Sequence, residues 1–342
     1  MAWHHLIERH WQHPRAWLSV LLWPWARLFA AVAQGRRQRY LSGRGAAERL
    51  PVPVAVVGNI HAGGTGKTPV VQALVCQLQQ RGVRVGIISR GYGRTGQGVL
   101  VLRPDSTAAE AGDEPLLLYR TTGAPTAVAA RRADAGRALL AAHPELELLI
   151  ADDGLQHYAL ARDFEIAVFP AADVGRRLDS LPNGPLREPL SRLYGVDAVV
   201  YSGGSGAAAA VLPLPDAVYT CRSTMQNGRP YRLGRPDALL PAGCLNGRKV
   251  VAVAAIARPE RFFRTVQADG IELAAAVALP DHAVWSFDGL PDADAYLVTE
   301  KDAVKLAADT GVEVWVWPVR AQLPEGLAER LLQRCLPQDP RT

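Results

Sequence analysis

The chain has 342 residues, of which 49% are hydrophobic and 21% charged, a globular composition whose length allows a sizeable core and suggests two domains. Its four cysteines lack a C-x-x-C spacing, which argues against a disulfide framework and favours reduced thiols in a cytosolic compartment. The formal net charge of +5 fits an anionic partner, but no arginine–aromatic array or zinc-ligand spacing favours nucleic acid, and no feature demands an obligate protein partner.

The N-terminal segment is apolar and rich in tryptophan, and residues 17–32 read WLSVLLWPWARLFAAV. One face of the predicted helix carries Leu18, Leu21, Leu22, Trp25, Phe29 and Val32. Arg27 would cost roughly 2.5–3.5 kcal/mol at the centre of a bilayer, which the apolar residues only just offset, and it also disfavours a signal peptide. We therefore predict an amphipathic membrane-anchoring helix within residues 1–45, lying in the interface. The alternative is a helix that packs on its own domain. The sequence does not decide whether a membrane-bound helix spans the bilayer or lies on its surface.

A glycine-rich turn follows the first predicted strand, and residues 54–68 read VAVVGNIHAGGTGKT. The apolar run, the glycines and the final Gly-Lys-Thr predict a phosphate-binding loop that leads into a helix. Backbone N–H groups would approach phosphate oxygens, Lys67 would reach the β- and γ-phosphates of ATP, and Thr68 would bind Mg²⁺. The predicted nucleotide-binding residues are His61, Ala62, Gly63, Gly64, Thr65, Gly66, Lys67 and Thr68, with His61 standing where the pattern expects glycine.

Strands and helices alternate beyond this loop, which predicts an α/β fold with a doubly wound, mostly parallel sheet of the P-loop NTPase type. We expect the nucleotide-binding domain to cover residues 46–213, with a change of composition over residues 202–215. Residues 214–245 are predicted to form a linker or hinge. A smaller C-terminal α/β domain is expected over residues 246–342, closing the cleft, with a last helix that can pack back on the first domain.

Several charged residues are predicted at the carboxyl ends of strands or in loops, where a doubly wound sheet places its ligand site. Asp152 and Asp153 follow an apolar strand and are candidates to hold Mg²⁺, with a plain turn as the alternative. Arg90 and Arg94 could contact phosphate after the second strand. Taken alone, Asp113 is typical of a helix N-cap. Arg187 and Glu188 alone are typical of a solvated pair.

The short motifs of the chain change this interpretation when they are taken together. The segments GNIHAGGTGKTP, SRGYGR, GDEP, DDGLQH, GPLREPL, PDH and TEKDAVKL occur in that order between about Val54 and Leu306. The set resembles the tetraacyldisaccharide 4′-kinases of lipid A biosynthesis. The resemblance implies transfer of the γ-phosphate of ATP to the 4′-hydroxyl of a membrane-embedded tetraacyldisaccharide 1-phosphate, which gives lipid IVA. It also implies a peripheral or monotopic enzyme at the cytoplasmic face of the inner membrane.

The same resemblance implies roles for particular residues. Asp113 in GDEP looks like the catalytic base, partnered across the domain cleft by His282 in PDH. Arg187 looks like a transition-state or phosphate contact, beside Lys67 of the loop. The residues implied at the Mg²⁺ and nucleotide site are Asp152, Asp153 and Glu188, with Tyr92 and Gln156 as weaker candidates nearby.

Two other functions fit parts of the sequence. A membrane-bound nucleotide switch would also use an anchor and a phosphate loop. However, no N-K-x-D guanine-reading motif is present, and Thr299–Asp302 has the wrong spacing for one. A kinase of a small soluble metabolite would leave the tryptophan-rich N-terminus without a purpose.

Overall fold

Two β-sheets, each with helices packed on it, organise the chain in the computed structural model. The structure describes residues 7, 9–203, 211–307 and 309–336. Residues 204–210, the alanine-rich part of the segment where the composition changes, therefore lie outside the described residues. Most of residues 1–8, in the predicted N-terminal segment, and residues 337–342, in the predicted C-terminal domain, also lie outside them.

The strands are numbered in chain order. They are β1 (Val54–Gly58), β2 (Val85–Ser89), β3 (Leu100–Val101), β4 (Thr126–Val128), β5 (Leu148–Asp152), β6 (Phe164–Pro170), β7 (Ala198–Ser202), β8 (Tyr219–Asn227), β9 (Tyr231–Arg232), β10 (Arg235–Leu239), β11 (Val250–Ala254), β12 (Ala275–Ala278), β13 (Ala295–Thr299), β14 (Val314–Trp317) and β15 (Val319–Gln322). The helices are α1 (Ala16–Leu41), α2 (Lys67–Gln80), α3 (Ala108–Ala111), α4 (Asp113–Thr122), α5 (Arg132–Ala142), α6 (Pro259–Ala268), α7 (Glu300–Ala303) and α8 (Glu325–Cys335).

The first sheet has nine strands in the order β15-β8-β7-β6-β1-β5-β2-β4-β3. From β8 to β4 neighbouring strands are parallel, whereas β15 and β3 pair antiparallel at the two edges. Every residue of β1, β2 and β5 is buried, as expected for central strands covered on both faces. The predicted mostly parallel, doubly wound α/β sheet is confirmed.

Helices bury the apolar residues of this sheet on both faces. On one face Leu74 and Leu78 of α2 share a buried cluster with Leu327 and Leu331 of α8. On the other face Leu139 of α5 packs in a second cluster with residues of β1, β5 and β6. Each fully buried leucine contributes about 1.5–3 kcal/mol relative to an exposed one. The helices on the two faces hold the strands in place. They therefore also position the loops at the strand ends, which carry the site.

The second sheet has six strands in the order β10-β9-β14-β13-β11-β12. Its central strands β11, β13 and β14 are parallel, and α6 packs on one face through Phe262 and Val266. The short helix α7 begins directly after β13, with Thr299 as its N-cap. The loop after β11 reaches the phosphate loop, because a Cβ added to Gly64 would lie 3.2 Å from the Cβ of Ala257.

The region expected as a linker is organised differently from the prediction. Within residues 214–245, β8 joins the first sheet, while β9 and β10 form an edge of the second. In addition, β15 and α8 leave the second sheet and return to the first. Every residue of β10 is exposed and β8 is mostly polar. These strands therefore lack the apolar alternation by which a strand is recognised in a sequence.

Helix α1 is long and apolar enough, by length and composition, to cross a membrane, and 11% of its most apolar 18-residue window is buried. Leu18 and Ala26 are its buried residues. The structure thus contradicts the alternative of a helix packed on its own domain. Of the apolar residues predicted on one face, Leu18 is buried, whereas Leu21, Trp25, Phe29 and Val32 are exposed. Trp23 is exposed on a different side of the helix from Trp25, so apolar side chains are exposed on more than that one face. Its C-terminal end contacts the segment between β5 and β6, where Tyr40 stacks on Tyr158.

Candidate active site

The phosphate loop runs from the end of β1 at Gly58 to the start of α2 at Lys67. Gly63 and Gly66 adopt φ angles of 105° and 80°, a region that L side chains rarely enter and that glycine adopts without a steric cost. With this backbone, the loop N–H groups and the N-terminus of α2 can face an anion. Thr68 is the second residue of α2, at the same end of the helix.

Asn59 and Asp153 hold the side chain of Lys67 in this loop. The Lys67 Nζ atom lies 3.4 Å from Asp153 Oδ1. With its amide oriented to satisfy both groups, Asn59 accepts from Lys67 Nζ at 3.1 Å and donates to the His61 carbonyl at 3.0 Å. Asn59 was not predicted as a site residue, although its position directly after a buried strand in the loop motif is a usable signal.

The two carboxylates at the end of β5 have different surroundings. Asp152 is buried, and its Oδ1 atom has no hydrogen-bond partner among the described residues. Burial, together with the negative charges of Glu114 and Asp153, raises the pKa of Asp152 to about 7. For Asp153 burial acts in the same direction, but the charges of Lys67 and Arg187 outweigh it and hold the pKa below its ordinary value.

Arg132 and Arg187 complete the surroundings of this acidic pair. Arg187 Nη1 lies 3.4 Å from Asp153 Oδ2. The buried Arg132 of α5 donates to the carbonyl of Asp153 at 2.6 Å and to that of Asp152 at 3.5 Å. Arg132 therefore fixes the backbone that presents both carboxylates. The sequence offers no signal for this role, because Arg132 lies in an ordinary helical pattern.

The residues predicted as base and partner meet across the two sheets. His282 Nδ1 lies 3.1 Å from Asp113 Oδ2. Asp113 is the first residue of α4, and the N-cap of this helix is Gly112. Asp113 therefore does not have the N-cap role that is typical of an aspartate at a helix start. His282 has a φ of 62°, which is unusual for a residue other than glycine. The ring of Tyr92 packs edge-on against the imidazole, with the ring centroids 5.6 Å apart.

These two groups of residues belong to one site. The charge of Glu114, the neighbour of Asp113, acts on Asp152 at the end of β5. The charge of Lys67, at the end of the phosphate loop, also acts on Asp152 and lowers its pKa. The Asp113–His282 pair and the phosphate loop are therefore linked through the buried Asp152.

The His61 side chain is turned away from the phosphate loop. Its Nε2 atom lies 3.2 Å from Asp173 Oδ2, and its ring packs edge-on against Phe169 with centroids 4.9 Å apart. The prediction of His61 as a nucleotide-binding residue therefore applies to its backbone, since the side chain is buried below the loop. This packing explains why a residue larger than glycine fits at the first loop position.

Glu188 is buried in a hydrogen-bonded network. Tyr158 donates its hydroxyl to Glu188 Oε1, and Gln156 donates to Oε2 at 2.8 Å. Gln156 also donates to the carbonyl of Asn59 at 3.0 Å, which connects the network to the start of the loop. Arg192 Nε lies 3.8 Å from Glu188 Oε2. The interpretation of Arg187 and Glu188 as a solvated pair is thus wrong for Glu188.

The sequence suggests that the Arg94 guanidinium contacts phosphate, but in the structure the guanidinium bonds to backbone carbonyls. It donates to the carbonyls of Gly98 and Val128 and so braces the loop after β2. Arg90 is exposed directly after β2.

Comparison with known proteins identifies the family. The family model described as "LpxK: Tetraacyldisaccharide-1-P 4'-kinase" matches residues 18–336. The chain belongs to this family. The tetraacyldisaccharide 4'-kinase of Neisseria meningitidis serogroup B is 59% identical over 97% of the chain and 96% of that relative. The protein of the same name from Chromobacterium violaceum is 48% identical over 96% of the chain and 97% of that relative.

A solved LpxK structure has the same fold. The crystal structure described as the "apo" form of LpxK from Aquifex aeolicus in complex with ATP matches with a TM-score of 0.77 and 28% sequence identity. The match covers 93% of this chain and 99% of that chain. The resemblance predicted from the ordered motifs is therefore confirmed, and the LpxK match extends over both sheets and α1.

The buried network around Glu188 gives a prediction about the stability of this chain. Arg192 pairs with both oxygens of Glu165 at 2.7 Å, and its own side chain is almost fully buried. Arg192→Met is expected to lower the free energy of unfolding by about 3–5 kcal/mol, because it removes a buried cation from between two carboxylates. Glu188 loses the guanidinium beside it, and Glu165 keeps only Arg162, at 2.8 Å. Urea unfolding followed by tryptophan fluorescence measures this loss.

The matched control replaces an exposed arginine, Arg229, in the turn between β8 and β9. Arg229→Met is expected to change the free energy of unfolding by less than about 0.5 kcal/mol. A loss below about 1 kcal/mol for Arg192→Met, typical of an exposed ion pair, would show that the buried pair does not stabilise the fold.

Proposed function

We propose that the protein transfers the γ-phosphate of ATP to the 4′-hydroxyl of a tetraacyldisaccharide 1-phosphate, giving lipid IVA in lipid A biosynthesis. The observation that carries this function is the Asp113–His282 contact of 3.1 Å beside a phosphate loop, in a chain of the LpxK family. A loop alone fits any nucleotide-binding protein. A carboxylate paired with an imidazole at that loop is what a hydroxyl acceptor needs.

The loop and Lys67 bind the triphosphate. Backbone N–H groups of residues 63–66 and the N-terminus of α2 face the phosphate oxygens, and Lys67 contributes a positive charge to the β- and γ-phosphates. The N–H of Ala62, predicted to bind the nucleotide, instead donates to the carbonyl of Pro185 at 2.7 Å. Asn59 and Asp153 hold the Lys67 ammonium at the loop before the nucleotide arrives. The lysine is therefore positioned in advance, which lowers the cost of ordering it on binding.

The acidic residues at the carboxyl end of β5 fit a magnesium site completed by phosphate. Among the described residues, no three His, Cys, Asp or Glu side chains form a metal-holding group of their own. Mg²⁺ in kinases commonly takes one or two carboxylates plus substrate phosphates and water, and the buried Asp152 Oδ1 atom without a partner is a suitable ligand. Mg²⁺ would be held by Thr68, Asp152 and Asp153, and it would neutralise phosphate charge. Both oxygens of Glu188 already accept hydrogen bonds from Tyr158 and Gln156, so Glu188 is proposed to brace the loop and not to bind the metal.

Asp113 and Arg187 act on the reacting groups. The Asp113 carboxylate takes the proton of the 4′-hydroxyl, while His282 holds that carboxylate in place through Nδ1. Arg187 moves from its loose contact with Asp153, at 3.4 Å, to charge that develops on the transferred phosphoryl group. Positioning and electrostatic stabilisation then supply most of the rate enhancement, as in other phosphoryl transfers.

The test of this function is the transfer of labelled γ-phosphate from Mg·ATP to tetraacyldisaccharide 1-phosphate in mixed micelles. Label is expected in a bisphosphorylated lipid with the wild-type chain and not with Lys67→Ala. Hydrolysis of ATP without labelled lipid would instead support a membrane-bound switch ATPase. Labelling of a soluble metabolite in preference to the lipid would support a small-molecule kinase.

Helix α1 is proposed to hold the enzyme at the cytoplasmic face of the inner membrane, where ATP and the lipid acceptor meet. Its large apolar side chains, including Trp17, Leu21 and Trp25, are exposed over much of its length. Arginines are concentrated toward its C-terminal end and beyond, at positions 36, 37, 39 and 44. Such a helix can insert its apolar side chains while the arginines bind acidic headgroups.

Removal of residues 1–34 tests this anchor while keeping Tyr40 on Tyr158. The shortened chain is expected to bind vesicles of acidic phospholipid at least about tenfold more weakly, because it loses the apolar residues that partition into the bilayer. Turnover in detergent micelles should largely persist, since the loop and the Asp113–His282 pair are unchanged. Co-sedimentation with vesicles measures binding, and equal binding by both chains would contradict the anchor.

A further inference from the structure

Lys301 of α7 occupies the centre of the charged cluster behind His282. Its Nζ atom lies 3.2 Å from His282 Nε2, 3.2 Å from Asp281 Oδ1 and 3.3 Å from Glu114 Oε1. Its side chain is only 17% exposed. Glu114 belongs to α4 on the first sheet, whereas the other partners belong to the second sheet. Lys301 therefore connects the two sheets at the candidate base.

The ammonium of Lys301 stays protonated in these surroundings. Burial lowers its pKa, but the charges of Glu114 and Asp281 outweigh burial and raise the pKa above its ordinary value. A lysine ammonium has three N–H donors and no acceptor. Two of its contacts are carboxylate oxygens, and the third is the ring nitrogen of His282. That nitrogen, Nε2, must therefore accept a hydrogen bond.

The acceptor role of Nε2 fixes the position of the imidazole proton. A neutral imidazole carries its proton on one nitrogen and accepts through the other. If Nε2 accepts from Lys301, the proton lies on Nδ1, which is 3.1 Å from Asp113 Oδ2. The chain Lys301–His282–Asp113 thus has one direction of donation, from the ammonium through the imidazole to the carboxylate.

We propose that Lys301 is a positioning residue that keeps His282 neutral with its proton on Nδ1, so that Asp113, rather than His282, receives the proton of the acceptor hydroxyl. This inference rests on the proposed function, in which Asp113 is the base. The O–H bond of the acceptor breaks and its proton passes to Asp113 Oδ1. The freed oxygen forms a bond to the γ-phosphorus as the bond from that phosphorus to ADP breaks. Asp113 then releases the proton to solvent after the product leaves.

The charges around His282 determine what removal of Lys301 would do. Asp113 faces Nδ1, Asp281 Oδ2 lies 3.8 Å from Nε2, and Tyr92 covers the ring edge. Lys305 Nζ lies 3.9 Å from Asp113 Oδ2. Without the Lys301 ammonium, the two aspartates would attract a second proton to Nε2. An imidazolium would then donate to Asp113 and make it a weaker base.

Nitrogen NMR of the full-length, ¹⁵N-histidine-labelled chain in detergent micelles tests this assignment directly. The signals of His282 are identified by their loss in His282→Gln. The wild-type chain is expected to show an unprotonated Nε2 and a protonated Nδ1 at neutral pH. A proton on Nε2 in the wild type would overturn the proposal, whatever the variants do.

Lys301→Met is expected to bring a second proton onto His282 at a pH where the wild-type ring is neutral, and Lys301→Arg should restore the neutral ring. The matched control is Lys249→Met, since Lys249 is exposed at the far end of β11, and it should leave the His282 signals unchanged. Lys301→Met should lower kcat roughly 10²-fold through misplacement of the base, with KM for ATP unchanged.

Failure of this inference is distinguishable from failure of the proposed function. If Asp113→Ala destroys turnover but Lys301→Met leaves both kcat and the His282 signals as in the wild type, only the role of Lys301 is wrong. If Asp113→Ala retains wild-type turnover, the base assignment itself is wrong and Lys301 has no base to position.

Discussion

Lys67→Ala is expected to reduce kcat/KM for Mg·ATP by roughly 10²–10⁴-fold, because two charge-assisted hydrogen bonds to the β- and γ-phosphates are lost at about 1.5–3 kcal/mol each. The structure favours the upper part of this range. Lys67 is almost buried and already held by Asn59 and Asp153, so water screens its charge poorly. After the substitution Asp153 keeps the charges of Arg187 and Arg132 but loses that of Lys67, so its carboxylate would repel the triphosphate more strongly.

Measurement of ATP-dependent lipid phosphorylation in mixed micelles tests this prediction, with nucleotide binding followed by calorimetry. Lys249→Ala is the matched control, because this exposed lysine lies at the other end of the second sheet and its loss should leave kcat/KM unchanged. Lys67→Arg separates charge from shape, since arginine keeps the charge but has a planar guanidinium. Near-normal kcat/KM for Lys67→Ala would mean that the triphosphate lies elsewhere.

The first sheet and its loop could be predicted from the sequence because their signals are local. Residues 54–58 form a continuous apolar run that is buried on both faces, and the glycines that follow must adopt positive φ angles. By contrast, β15 pairs with β8 over a separation of more than ninety residues. Neither strand is apolar enough to reveal a buried position. Such pairing depends on tertiary packing, which overrides local propensity.

The candidate site shows the same division between local and distant signals. The loop residues and the Asp152–Asp153 pair follow from strand ends, which a sequence pattern can locate. Asp113 and His282 are 169 residues apart, and alone Asp113 is typical of a cap. Only the ordered motifs placed them together. Arg132, which holds the backbone of Asp152 and Asp153, has no motif at all and needed the structure.

Lysine is rare in this chain, and three of its four lysines lie at the candidate site. Of the four lysines in the chain, Lys67 lies in the loop and both Lys301 and Lys305 lie within 4 Å of the Asp113–His282 pair. Arginine elsewhere supplies the surface charge. Lysine is a compact donor on a flexible stem, and the three N–H groups of Lys301 can meet a ring nitrogen and two carboxylates at once.

Asp113→Ala is expected to lower kcat by roughly 10²–10⁴-fold, the usual loss when a general base is removed. KM for ATP should change little, since the phosphate loop and Lys67 do not contact Asp113. Asp113→Asn is the sharper variant, because it keeps the shape and the contact with His282 but accepts no proton. The control is Asp105→Ala, an exposed aspartate in the loop before α3, which should retain wild-type kcat.

His282→Ala should show a smaller loss of kcat than Asp113→Ala, because His282 orients the carboxylate through Nδ1 and does not itself receive the hydroxyl proton in the proposed arrangement. Since the two residues act as a unit, the double variant should lose little more than Asp113→Ala alone. Near-additive losses would argue against a coupled pair. Loss of ATP binding in Asp113→Ala would contradict the base assignment, because a group that acts only on the acceptor contributes nothing to nucleotide affinity.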